Sequence, residues 1–171
     1  MEYKKGDYVR YSSNGVCFIE DIRTIDINHS KNPKTFYVLK PISTNSSTIY
    51  VPLENEELVS KMRYILSKTD IDNLIDSVMQ EKIDWIPDRK ERINCFKQIL
   101  KDSDPKELLK LVGCIYLKKQ ELRNEGKKLS STDENHLAQA EALIENEFSF
   151  VLKLDDFSVG NYIRARLGIL D

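Results

Sequence analysis

Residues 7–27 read DYVRYSSNGVCFIEDIRTIDI, and this stretch decides what kind of fold the chain begins with. Its two halves, DYVRYS and GVCFIEDIRTIDI, are rich in Val, Ile, Tyr, Phe and Thr and partly alternate apolar with polar, as half-buried strands do. Asn14-Gly15 between them is a tight-turn signal. The pattern continues downstream in TFYVLKPI and STIYVPLE, with the polar loops NHSKNPK and STNSS between strands. Four or five short strands in about 55 residues bury little as a flat sheet, so curling into a small SH3-like barrel is the economical solution.

After Pro52 the apolar period changes from that of strands to that of helices. ENEELVSKM and SKTDIDNLIDSVMQ read as short helices, the second with Ile71, Leu74, Ile75 and Val78 at helical spacing. Three longer helices follow. The first runs from about Pro87 to Lys101, with Ile93, Phe96, Ile99 and Leu100 on one side. The second opens at SDPKE, where Asp104 caps and Pro105 suits the first helical position, and stops near Gly126. The third starts at SSTDE, where Ser131 and Glu134 fit a capping box. SVGNYIRARL reads as a last short helix capped by Ser158, with Val159, Tyr162, Ile163 and Leu167 turned inward. The fold class is therefore α+β, a β module over residues 1–60 followed by an all-helical domain over 61–171, with the join near 53–65.

The 171 residues are 40% apolar and 32% charged, the balance of a soluble globular chain. No apolar run approaches the roughly 18 residues that span a bilayer, and the start MEYKKGDYVRYSS lacks the apolar core of a signal peptide, so a cytoplasmic protein is expected. Cys17, Cys95 and Cys114 have no C-x-x-C spacing and read as buried free thiols.

Catalysis has little support. Phosphate-cradling glycine loops are absent. His29 and His136 have no partner at ligand spacing and read as surface histidines, and the pairs Asp155-Asp156 and Glu56-Glu57 read as solvated faces. Neither an enzyme nor a metal, cofactor or small-molecule substrate is expected.

The net charge of −2 hides an asymmetry. Residues 85–128 hold twelve bases and seven acids, whereas 129–171 hold three bases and eight acids. A locally basic face suits a polyanion, although ordinary solvated helix surfaces give the same count. At its head stands Trp85, the chain's one tryptophan, in EKIDWIPDRKERINCF at residues 81–96. Asp84, Pro87 and Asp88 mark a helix N-terminus. Trp85 is then either a staple folded back on the helix end or an aromatic wedge beside cations that neutralise phosphates.

The order of these features resembles the CarD/CdnL transcription regulators, whose first module is shared with the polymerase-interacting domain of the transcription-repair coupling factor. YKKGDYVRYSSNGVCFIEDI, FYVLKPI, IYVPLEN, IDWIPDRKER, LVGCIYLKKQELRNEGKKLSSTDE and AEALIENEF fall in the family's order over roughly residues 2–152. The resemblance implies a Tudor-like barrel docking on the β-subunit of bacterial RNA polymerase. Where family members present arginines there, this chain offers Arg23, Ile25, Ile49 and Tyr50, so docking relies more on strand-edge pairing and apolar contact. It also implies a helical domain contacting promoter DNA non-specifically. In it Trp85 corresponds to a tryptophan wedged into the minor groove, and Arg89, Lys90, Arg92, Lys118, Lys119 and Lys127 are the candidate DNA contacts. Stabilisation of the open complex follows from the same resemblance. Where the family places arginines directly after the tryptophan, this chain has Ile86, Pro87 and Asp88. The alternative is a protein–protein adaptor without DNA binding, in which Trp85 is a staple.

Overall fold

The computed structural model describes residues 3–26, 33–43, 47–78, 81 and 83–166, with the side chains of 156 and 157 left aside. The element order is β1 (Tyr8–Tyr11), β2 (Val16–Ile25), β3 (Lys34–Pro41), β4 (Ile49–Pro52), α1 (Glu56–Val59), β5 (Met62–Tyr64), α2 (Lys68–Val78), α3 (Arg89–Asp102), α4 (Pro105–Asn124), α5 (Ser131–Leu152) and α6 (Asp156–Arg166). Two compact units divide it, Met1–Ile65 and Leu66–Asp171. The expected boundary at 60/61 moves to 65/66, because Met62–Tyr64 pair with Tyr11–Val9 and so belong to the sheet.

In the first unit five antiparallel strands run in the order β4-β3-β2-β1-β5. The outer strands β4 and β5 are not paired with each other, so in place of the expected barrel there is an open sheet. The physical reason is length: strands of four and three residues offer few ladder bonds, and Leu58 and Val59 at the end of α1 cover the core there instead. That core is Val9, Tyr11, Cys17, Ile19, Tyr37, Leu39, Val51 and Met62, with Tyr3 laid across it. The Tyr3 hydroxyl donates to the Met62 carbonyl at 2.8 Å and fastens β5 in place. The Asn14-Gly15 turn is a single 3-10 turn, Ser12–Asn14, closed by Gly15 at φ 73°, which glycine adopts without steric cost.

The helical unit has one core, built from Ile71 and Ile75, Phe96 and Leu100, Leu108, Leu111 and Ile115, Leu137, Ala140, Ile144 and Phe148, and Val159. These are the stripes that the 3.6-residue period picks out. Helix starts follow the capping rules with two corrections. Asp88 and Asp104 accept from backbone N–H groups at Glu91, and at Lys106 and Glu107. The cap of α5 is Ser130, not Ser131, and its hydroxyl accepts from the Asp133 N–H at 3.2 Å. At α6 the Asp155 carboxylate, not Ser158, does this work by accepting from both the backbone and the hydroxyl of Ser158. His29 and Leu167 lie outside the described residues. Cys17 and Cys114 are buried and Cys95 is half-buried, all three as free thiols; burial pushes the Cys17 thiol up to about 11.

Candidate functional site

In the first unit the candidate surface is set by register. Residues directly opposite in an antiparallel pair share a face. Ile49 stands opposite Leu39 and Val51 opposite Tyr37, so both belong to the core face. Tyr50 stands opposite Val38 and Arg23 opposite Phe36, placing Tyr50 and Arg23 on the other face, where Ile25 joins them opposite Lys34. An irregularity between Ile19 and Asp21 produces this arrangement: Glu20 is an extra residue in β2, and the alternation beyond it reverses. The expected quartet therefore splits. Tyr50 is 48% exposed and meets Phe36 edge-on at 6.3 Å between ring centroids. Arg23 is exposed but donates to the Asp21 carboxylate at 3.1 Å. Ile49 packs against the core instead of presenting itself outward.

In the helical unit the candidate site is the turn before α3. Trp85 is partly buried, packed on the helical core. Its ring meets Phe96 edge-on at 6.1 Å, and the Arg92 guanidinium lies 4.4 Å from the ring centroid. The Lys118 ammonium approaches to 5.9 Å. The ring also borders a recess of about 430 Å³ floored by Leu109, Gly113, Cys114 and Leu117. Trp85 is thus packed on the helical core on one side and borders the recess on another.

Arg92 is a correction to the list of phosphate contacts. It is 7% exposed and makes a fork to Asp133, with Nε and Nη2 donating to the two carboxylate oxygens at 3.1 and 3.2 Å. Its remaining amino group donates to the carbonyls of Ile86 and Pro87. The side chain is committed to holding the Trp85 turn against α5 and has no capacity for DNA. Burial pulls the Asp133 carboxyl upward, but hydrogen bonds from Arg92 and Ser130 and the guanidinium charge outweigh it and hold the group below the usual carboxylate range. Beside this pair His136 is 5% exposed, which overturns its reading as a surface histidine. It stands edge-on to Phe96 at 5.8 Å, and its Nδ1 has no hydrogen-bond partner among the described residues. Burial, aided by the positive charges of Lys97 and Arg92 and opposed by Asp133, keeps its pKa below the ordinary value.

Other candidates are also partly committed. Lys118 pairs with Glu121 at 2.9 Å and Lys127 with Glu125 at 2.8 Å. Lys119 is exposed and acts electrostatically on Glu141. Arg89 and Lys90, in the first turn of α3, are exposed with no carboxylate at ion-pair distance among the described residues. Sequence reasoning missed Lys97 and Lys101. They are exposed on α3 at seven and eleven residues beyond Lys90, a spacing that puts the three lysines on one helical stripe. Counting bases concealed them; plotting them at 100° per residue separates them from the apolar face. Asp88, one of the residues that stand after the tryptophan in place of arginines, points back and caps α3.

Among the described residues no helix is long and apolar enough to cross a membrane, and no group of three or more metal-ligating side chains is found. No curated protein matches the chain. Residues 3–63 match the family model described as the CarD-like/TRCF RID domain, and the matched span coincides with the first compact unit almost from end to end. The first unit is therefore a CarD-like/TRCF RID domain.

Proposed function

We propose that the protein docks on the β-subunit of bacterial RNA polymerase through its first unit and contacts promoter DNA non-specifically through the helical unit, so that the open complex lives longer. A CarD-like RID domain marks a transcription-associated protein that interacts with RNA polymerase through a non-catalytic interaction module. The match of residues 3–63 carries the reading. It is supported by Tyr50, Arg23 and Ile25 sharing one face, and by the free edge of β4, where an added strand supplies main-chain bonds. For the DNA half, the support is a tryptophan ring with one open side at the head of a helix whose first turn presents Arg89 and Lys90.

Phosphate contacts carry no direct base information, so the DNA contact is sequence-tolerant and weak alone. Docking on polymerase raises its effective concentration to the millimolar range for a short linkage. A preference of about 1.4 kcal/mol for the open complex shifts its ratio to the closed complex about tenfold. Capture of polymerase β fragments by the full chain tests the docking half; a Tyr50→Ala/Arg23→Ala variant should lose most capture, and undiminished capture would refute this face. Promoter-bubble lifetime tests the other half. Trp85→Ala should shorten it, and an unchanged lifetime removes the wedge.

The adaptor reading also has a specific observation in its favour: Arg92 is committed to Asp133, and Lys118 and Lys127 to carboxylates. Tryptophan emission separates the two. Duplex DNA should alter Trp85 emission and its access to aqueous quenchers under the first reading and leave both unchanged under the second.

A further inference from the structure

Helix interiors favour alanine over glycine, because glycine loses more backbone freedom on ordering and adds no packing. Two glycines nevertheless sit inside helices of the second unit, Gly113 in α4 and Gly160 in α6. Neither makes room for a neighbour. A Cβ on Gly113 would meet nothing within 4 Å, and one on Gly160 would meet only the Arg164 Nη1 at an ordinary 3.5 Å. Both glycines line the same recess, a space of about 160 Å³ walled by Leu109, Val112, Ile144, Val159 and Ile163. An apolar cavity of about 150 Å³ takes up a six-carbon ring such as benzene. The recess is therefore of ligand size and open to solvent at Gly113, with no internal steric reason for either glycine.

The polar groups on the wall are of both signs. Glu141 and Glu145 come from α5 and Arg164 from α6, with the Tyr116 side chain beside them. Burial raises the Glu141 carboxyl above its usual range, against the pull of Lys119 and Arg164. A carboxyl in that condition gains when an additional cation arrives, since ionisation then costs less. An apolar hollow bordered by carboxylates and a guanidinium fits a molecule with an apolar body, an ammonium and a carboxylate.

We propose that the recess between α4, α5 and α6 binds a small zwitterion with an apolar side chain, of the class of branched-chain or aromatic α-amino acids. The body fills the space beside Gly113 and Gly160. The ammonium faces Glu141 and Glu145, and the carboxylate faces Arg164. The site is a ligand site without chemistry, and it stands apart from the proposed DNA contact. The two recesses of this unit share Val78, Leu109, Gly113 and Tyr116 in their walls, so occupancy should register at Trp85, on the rim of the larger one.

Titration of the full chain with L-leucine, followed by melting temperature and Trp85 emission, tests this. Leucine should raise the melting temperature in a saturable way, with glycine as an inert control. Gly113→Leu fills the recess at a position with no Cβ clash, and it should weaken leucine binding by about tenfold or more without lowering the unliganded melting temperature. Glu141→Gln should weaken it by a similar factor, about tenfold. Three outcomes overturn the proposal: no saturable response to leucine, undiminished binding by the well-folded Gly113→Leu protein, or 4-methylpentanoate and isoamylamine each binding as tightly as leucine.

Discussion

The two units differ in what they leave over after satisfying themselves. The β unit builds its core on one face, buries Val16, Phe36 and Val38 on the other, and still exposes Tyr8, Ile22, Tyr50 and Tyr64, along with the outer edges of β4 and β5. The helical unit, which holds the basic segment 85–128, consumes much of that positive charge internally. Arg92 goes to Asp133, Lys106 and Lys110 go to Glu81 and Glu107, Lys118 goes to Glu121 and Lys127 goes to Glu125. A count of charges along a chain is thus an upper bound on what a partner can feel. A count of exposed aromatic side chains on a sheet is closer to the true figure, because apolar groups have few ways of neutralising one another at a surface.

The contrast is broken most directly at the buried ion pair. Removing one partner of such a pair strands a charge, so Asp133→Asn or Arg92→Met should cost the helical unit about 3–5 kcal/mol in urea unfolding. Combining Arg92→Met with Asp133→Leu should return much of that loss. A single-variant cost below about 1 kcal/mol would mean the pair is solvated after all. In the β unit the corresponding weak point is apolar: Leu39→Ala, at a fully buried site, should cost about 2–5 kcal/mol.

Acid separates the units next. His136 has a folded pKa below its unfolded value, so it stabilises the fold above the unfolded value of about 6.5 and loses that contribution as pH falls through the folded value. Asp133, also depressed, acts the same way at lower pH, beginning near its unfolded value of about 3.9. Melting of the helical unit should decline first below about pH 6.5, by at most about 1.4 kcal/mol per pH unit for one proton. His136→Gln should erase that first decline and leave the lower one.

The smallest effect concerns the surface pair. Glu125→Gln should leave the melting temperature unchanged yet free Lys127, steepening the salt dependence of DNA binding by about 0.9 in the logarithmic slope. An unchanged slope would place Lys127 away from the phosphates.

Periodicity made most of the fold legible. The strands β1 to β4 and the apolar stripes of α3, α4 and α5 follow from spacing, since each pattern repeats often enough to be recognised. β5 was not legible, because three residues cannot display an alternation. Nor was the reversal in β2, where one surplus residue, Glu20, changes which face Arg23 and Ile25 occupy while every residue type remains strand-compatible. In the site, Trp85 and its capped helix were readable locally. The fate of Arg92 was not, because its carboxylate partner lies 41 positions away and only the packing of α3 against α5 brings them together. His136 was hidden for the same reason: a helical histidine looks alike in sequence whether its helix face meets water or another helix.

The Arg92 side chain also reaches across two helix beginnings at once. It holds the carbonyls of Ile86 and Pro87 ahead of α3 and the carboxylate of Asp133 in the first turn of α5. Neither terminus can fray while the other stays intact, so amide protons in the opening turns of both helices should exchange with deuterium at a common rate. A molecule that pulled on the indole would, by the same linkage, loosen the start of a helix more than forty residues further along the chain.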